Sequence, residues 1–138
     1  MRVIIIGGVA GGMSAATRLR RLDETAEIIV FERGPYVSFA NCGLPYHVGG
    51  VIAERDSLLL QTPESLRSRF ALDVRIGSEV TSIDRVAQTV TVRDVASGTS
   101  STEHYDRLVL AMGADDRSRL SPVEGGPVVS TLRTVDDV

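Results

Sequence analysis

Three features of this 138-residue sequence could carry chemistry: one sulfur nucleophile, one glycine-rich turn and one row of basic side chains. The sulfur is Cys42, the only cysteine, set in SFANCGLPY (38–46) among small and turn-forming residues. A thiolate attacks disulfides, and a helix N-terminus stabilises it. Pro45, three residues on, suits the first turn of such a helix. Cysteine is equally a common small filler of protein cores, and both readings stand at this point. A Cys-x4-Cys pair would need a second cysteine at position 47, which is His47. No disulfide forms within the chain, so a reactive Cys42 would cycle with an external partner or through its own oxidised forms. His47 itself reads as a surface or helix-start residue rather than a base.

The glycine turn is GGVAGG (7–12). It follows the apolar run RVIII (2–6) and precedes Gly12, Ala15, Ala16, Leu19 and Leu22, which recur at helical spacing over 12–22. EIIVFE (27–32) is a second apolar run and ends in an acid, 20 residues after Gly12. Strand, turn, helix, strand and acid together make a dinucleotide site. The helix N-terminus faces a pyrophosphate, glycines admit close backbone approach, and the acid binds ribose hydroxyls. Val9 falls where a glycine is usual, and the alternative is a turn that only packs a helix. A carboxylate at Glu32 disfavours a 2′-phosphate. Ser14, Arg18 and Arg21 share the opposite helix face, which is either a solvated charged surface or a grip for phosphates.

These residues need a frame, and the rest of the chain supplies one. TPESLRSRF (62–70) reads as a helix, with Thr62 as cap, Pro63 at the first position and Glu64 at the positive end. From Val74 the period changes to two: EVTSID (79–84), TVTVRDV (89–95) and STEHYD (101–106) predict an antiparallel meander over 74–106. RLVLAMG (107–113) returns to a buried parallel strand. The expectation is an α/β fold: a Rossmann-like parallel sheet with an antiparallel β-meander. Its β-α-β unit spans 2–32 and a site loop spans 33–47. The domain covers 1–113, and 114–138 is a linker. A net charge of −3 and scarce aromatics argue against nucleic acid as a partner. MRVIIIGG is too short for a signal peptide, no apolar run approaches a membrane span, and no metal ligand set is assigned. A single cysteine fits a reducing compartment, so a cytoplasmic location is expected.

GGVAGGMSAATRLRRLDE, VFERG, SFANCGLPYHVGG and TPESL resemble the pyridine nucleotide-disulfide oxidoreductase family. Within it they look like the branch of coenzyme A-disulfide reductases, NADH oxidases and persulfide reductases. The resemblance covers residues 1 to about 113, and again TLRTVDD (131–137). S-F-A-N-C with one cysteine is specific to that branch, and Val9 is common in it. The resemblance implies FAD. Gly7, Gly8, Ala10, Gly11, Gly12, Glu32 and Arg33 would hold its ADP half, and Val80 would give a backbone contact to adenine. Asn41 and Cys42 would lie against the isoalloxazine, and Ala111 and Gly113 would add contacts. It implies Cys42 as the redox centre, forming a mixed disulfide with CoA, or a sulfenic acid or persulfide in the related activities. Ser14, Arg18, Arg21, Ser38 and Asn41 match its CoA contacts. A further basic residue of some members falls on Phe70, with Arg67 or Arg69 as substitutes. Met112 departs from the family's Ala-Thr-Gly strand end, and DDRSRLSP stands where a Pro-rich linker is usual.

Complete members are several times longer. They carry an NAD(P)H domain, a returning segment that completes the FAD domain, and a C-terminal domain that makes a homodimer. The chain is therefore expected to be the N-terminal, incomplete FAD-binding portion of such an enzyme, as a fragment or a truncation. It is expected not to turn over NAD(P)H alone. The expected partner is coenzyme A or another low-molecular-weight thiol or disulfide. The alternatives are an NADH oxidase or peroxidase of the same family, or a non-catalytic nucleotide- or CoA-binding module.

Overall fold

The computed structural model describes residues 1–114, 126 and 130–138. The DDRSRLSP segment of the expected linker lies outside the described residues. In chain order the elements are β1 (Arg2–Ile6), α1 (Ala10–Leu22), β2 (Glu27–Phe31), α2 (Leu44–Val48), α3 (Pro63–Phe70), β3 (Asp73–Arg75), β4 (Ser78–Asp84), β5 (Thr89–Asp94), β6 (Ser100–His104) and β7 (Arg107–Leu110). They fall into two compact units, Met1–Ser38 with Gln61–Gly113, and Phe39–Leu60 with Ala114–Val138.

The first unit is built on a parallel sheet of order β3-β2-β1-β7. β1 and β2 read as unbroken apolar runs because both of their faces are covered. Val3, Ile5, Ile28 and Val30 pack on one side with Met13 and Ala16 of α1 and Leu66 of α3. Ile4, Ile6, Ile29 and Phe31 pack on the other with Val90, Val92 and Tyr105 of the meander side. Each such side chain contributes about 1.5–3 kcal/mol on full burial, so these two layers carry most of the unit's stability. The Rossmann-like sheet with its antiparallel meander, β4-β5-β6, is the α/β architecture expected from the sequence.

Two local features differ from the periodic pattern. Asp73–Arg75 is not the start of the meander but a short edge strand, parallel to β2 through Val30 and Val74; the meander begins at Ser78. And β4 does not alternate strictly, since Val80 and Ile83 are three apart. A register shift between Val80 and Ser82 absorbs the extra residue, so Val80 faces Val92 while Ile83 faces Val90. Both apolar residues thereby stay on the sheet-facing side.

Helix α3 begins as its sequence demands. Ser65 N–H donates to Thr62 Oγ1 (3.2 Å) and Thr62 N–H donates to Ser65 Oγ (3.0 Å), a reciprocal cap closed by Ser65. Its C-terminus is fastened by a residue of α1. The Arg20 guanidinium donates to the carbonyls of Phe70 (2.9 Å) and Ala71 (3.0 Å), and to those of Asp23 (3.3 Å) and Glu24 (2.7 Å). One cation thus satisfies carbonyls at the ends of two helices, where a positive charge is favoured. Arg20→Met is expected to cost about 2 kcal/mol, read as a lower urea midpoint at unchanged slope. Arg21→Met, which gives up one 3.3 Å bond to Thr17 O, should stay within about 0.5 kcal/mol. Equal losses would refute the clamp.

The sheet and meander are also joined by charge. Glu103 of β6 accepts from Arg2 (2.6 Å) and Arg75 (2.7 Å), and Arg75 also holds Asp73 (2.7 Å). Burial pushes the Glu103 carboxyl up, but the hydrogen bonds and charges of Arg75 and Arg2 outweigh it and hold it below the usual carboxylate value.

In the second unit, Leu44 and Leu58 are fully buried, and Phe39 bridges Leu59 as an antiparallel pair. The TLRTVDD stretch is fastened there by its last residues. Arg55 donates to Val135 O (2.9 Å) and pairs with Asp136 (3.2 Å), and Val135 is fully buried. No helix among the described residues is long and apolar enough to cross a membrane.

Candidate functional site

The residues singled out in the sequence divide between the two units. In the first, β1 ends in the turn Gly7–Val9, and α1 starts at Ala10, two residues before the apolar spacing alone would place it. Gly7 has φ 104°, a left-handed backbone that favours glycine. A Cβ there would overlap the Ala111 carbonyl, and a Cβ on Gly12 would overlap the Gly7 carbonyl oxygen. These two glycines bring strand, turn and helix backbone into direct contact. Gly8 is covered from behind by Val37 and Glu32, whose atoms would lie 2.9 and 3.0 Å from an added Cβ. Gly11 differs, because a Cβ there would meet only the Ala111 side chain, at 3.7 Å.

Helix α1 has no side-chain N-cap and no acid in its first turn. Its leading N–H groups are therefore not answered by a protein anion. Glu32, just past β2, is set by two backbone donors: Gly8 N–H to Oε2 (2.7 Å) and Gly34 N–H to Oε1 (2.8 Å). Each carboxylate oxygen retains a further lone pair. A glycine cradle, an unanswered helix start and an anchored acid fit a dinucleotide with a free ribose. Arg33 is exposed beside Glu32, Val80 lies in β4 opposite Val92, Ala111 N–H bonds Ile6 O (2.8 Å), and Gly113 has φ 71°.

Ser38 is also drawn to this turn. Its backbone is left-handed (φ 50°), and its N–H donates to Gly8 O (2.8 Å). From there a cleft of about 290 Å3 runs between α1 and α3, lined by Ser14, Thr17, Ser38, Gln61, Arg69 and Phe70 among others. Two of the residues expected to contact CoA, Ser14 and Ser38, thus share one cleft. Arg18 and Arg21 are exposed on α1, each one turn beyond Ser14 and Thr17, and do not line the cleft. Another cleft, of about 210 Å3, includes Arg75, whose charge is already matched by Asp73 and Glu103.

In the second unit, Asn41–Gly43 forms a single 3-10 turn that runs directly into α2, with Pro45 at its start. Cys42 is exposed and unpaired, so it is not a core filler in this structure. Its N–H donates to Asn41 Oδ1 (3.1 Å), and its Sγ lies 3.7 Å from the same oxygen. Gly43 is buried because Leu58, Ala40 and Ile52 close over it, with Leu58 2.9 Å from an added Cβ. His47 sits in the last turn of α2, where Nδ1 is 2.7 Å from Ile52 O. A carbonyl only accepts, so Nδ1 carries the hydrogen and the ring fastens a turn.

Sequence periodicity did not single out Arg20 or separate Arg67 from Arg69. Their signals are tertiary: which carbonyls or carboxylates each guanidinium meets. Among the described residues no group of three or more His, Cys, Asp or Glu is gathered as a metal site.

Comparison with known proteins gives consistent matches. The model of the pyridine nucleotide-disulphide oxidoreductase family matches residues 1–138. The coenzyme A disulfide reductase of Staphylococcus epidermidis is 43% identical over 136 residues, covering 99% of this chain and 30% of that protein. The crystal structure of reduced Bacillus anthracis CoADR-RHD superposes with a TM-score of 0.91 at 49% identity, over 99% of this chain and 25% of that one. An NAD-dependent persulfide reductase from A. fulgidus gives 0.78 at 41% identity, over 82% of this chain and 21% of that one. The chain thus spans less than a third of the length of the curated relatives it matches.

Proposed function

This chain belongs to the pyridine nucleotide-disulphide oxidoreductase family, and from that premise we propose that it forms the FAD- and thiol-bearing part of an enzyme that reduces CoA disulfide, or a related low-molecular-weight disulfide or persulfide, with electrons from NAD(P)H. The observation that carries the reading is Cys42: exposed, without a second cysteine, and held in a chain 43% identical to a coenzyme A disulfide reductase.

On this reading the Gly7–Gly12 turn and the first N–H groups of α1 hold the pyrophosphate, and Glu32, with Arg33 beside it, serves the ribose. Val80, Ala111 and Gly113 complete the adenine side. Asn41 and Cys42 belong to the redox end. When bound, FAD supplies a two-electron carrier between nicotinamide and sulfur. Cys42 does the sulfur chemistry. Its Sγ, after losing its proton to solvent, attacks one sulfur of CoA disulfide. The S–S bond of the substrate breaks, a Cys42–CoA disulfide forms, and the other CoA leaves as a thiolate that takes up a proton. Reducing the mixed disulfide would take one further electron pair and two protons, returning Cys42 as a thiol and releasing the second CoA as a thiol. Residues 1–113 are then the N-terminal portion of an FAD-binding domain and 114–138 lead towards an NAD(P)H-binding domain, in a homodimeric cytoplasmic protein.

The test is spectroscopic and then chemical. The purified chain, desalted after incubation with FAD, should keep a flavin absorption band. Incubation with CoA disulfide should then add one CoA mass to the chain, at Cys42. A chain that takes CoA without any flavin band would instead be a non-catalytic binding module. A chain that forms a persulfide from sulfane donors but no CoA adduct would favour the persulfide reading, as in the A. fulgidus relative. Neither band nor adduct would overturn the proposal.

A further inference from the structure

Residues 133–138 are far from Cys42 in sequence, yet they belong to the same compact unit. Val135 is fully buried there, and its carbonyl is held by Arg55, 80 residues earlier: Nε lies 3.2 Å and a terminal nitrogen 2.9 Å from that oxygen. The same terminal nitrogen reaches Asp136 Oδ1 (3.2 Å). The segment is also shaped from within, because Asp137 Oδ2 accepts from the backbone N–H groups of Arg133 (2.8 Å) and Thr134 (2.6 Å). Arg55 thus grips a turn that already has its own bonds.

The same arginine opens the 3-10 turn Arg55–Leu58. Residues three apart on such a turn lie one above the other, so Arg55 and Leu58 act from one short piece of backbone. Leu58 is the floor under the Cys42 turn. Its side chain closes over Gly43, the residue after Cys42, and its carbonyl accepts the Ala40 N–H (2.8 Å). The Ala40 carbonyl in turn accepts from Gly43 N–H (2.8 Å), which closes the 3-10 turn that carries the thiol.

From this chain of contacts we infer that Arg55 is a positioning residue for Cys42: by holding the Val135 carbonyl it couples residues 133–138 to the turn that presents the thiol. A planar guanidinium bound to two acceptors of one turn fixes an angle as well as a distance. Cys42 is exposed, so the direction of its sulfur depends on the backbone of residues 40–43, and Leu58 supports that backbone. Residues 133–138 are then part of the thiol's support rather than only a connection. The use of the coupling rests on the functional reading above, since a sulfur that must meet a bulky disulfide gains from a fixed approach; the coupling itself does not rest on it.

Amide hydrogen exchange of the purified chain, read by mass spectrometry, tests the coupling. Arg55→Met should raise exchange across 39–46 roughly tenfold and leave β1 and α1 within about twofold. Arg55→Lys, which keeps a donor for the Val135 carbonyl, should recover most of the protection. Val135→Ala disturbs the other end and should raise exchange over the same 39–46 stretch. Arg133→Met should change nothing there, because its bond to Asp137 runs through the backbone. Arg55→Met should also slow formation of the Cys42–CoA disulfide roughly fivefold, while the rate with dipyridyl disulfide, a small neutral reagent, stays within about twofold. Unchanged exchange over 39–46 in Arg55→Met, or a rise confined to 130–138 in Val135→Ala, overturns the inference. An equal rise in β1 and α1 overturns it too, because lost global stability would then be the cause, and so does equal slowing with both disulfides. The expected exchange pattern in a chain that forms no CoA adduct upholds the coupling and overturns the functional reading.

Discussion

Cys42→Ser removes all covalent capture of CoA disulfide: intact-mass analysis shows one adduct on the unmodified chain and none on the variant. The argument is chemical rather than structural. A serine hydroxyl has no accessible anion near neutral pH and cannot enter thiol–disulfide exchange. No other cysteine can take over. The fold has little stake in the sulfur. Cys42 is exposed, and its backbone contact to Asn41 Oδ1 runs through the N–H, which serine keeps. The thermal midpoint should therefore move by no more than a few degrees, consistent with a surface change within about 0.5 kcal/mol. If the serine variant gained the same mass, the adduct would lie elsewhere and Cys42 would lose its role.

Gly12→Ala should produce the largest loss of stability of any single methyl group in the first unit. The added Cβ would overlap the Gly7 carbonyl oxygen, and Ile5 Cγ2 would lie 3.3 Å away, so α1 can retreat only by leaving the sheet. Overpacking against backbone of this kind costs about 3 kcal/mol, a lowering of the thermal midpoint by roughly 10 °C in a domain of this size. Gly11→Ala is the matched control. Its Cβ meets Ala111 Cβ at 3.7 Å, ordinary contact, and alanine gains up to about 1 kcal/mol over glycine in a helix. Gly11→Ala should hold or raise the midpoint. If it also loses flavin on desalting, the open side of Gly11 is where the cofactor approaches. Equal midpoints for the two variants would contradict the close packing seen at Gly7 and Gly12.

Much of this arrangement can be read before folding. RVIII, GGVAGG and EIIVFE announce buried strands and a helix start through composition alone, and Thr62-Pro63 marks the head of α3. The features that escape are those whose cause is a distant partner. β3 is three residues long with one buried side chain, Val74, and becomes a strand only because β2 lies beside it. The irregular step in β4 hides in EVTSID because one extra residue looks like noise until Val90 and Val92 show which face must be filled. In the TRLRR run, Arg18, Arg20 and Arg21 are indistinguishable on paper. Only tertiary structure gives Arg20 the carbonyls of Phe70 and Ala71 and leaves Arg18 on the surface. The same holds in α3, where the family resemblance offers both Arg67 and Arg69 and only the fold shows that Arg67 lies 3.3 Å from Asp73.

The Arg20 clamp also bears on how long the folded chain persists. Its acceptors Phe70 and Ala71 are 50 and 51 residues away, so the contacts close a long loop and can form only after both helices are in place. Contacts of this kind that close on the native side of the folding barrier have a distinct kinetic effect. They leave the refolding rate nearly alone and act as a brake on unfolding. A single guanidinium would then set part of the kinetic lifetime of the first unit, and with it the time for which the cleft between α1 and α3 keeps its shape.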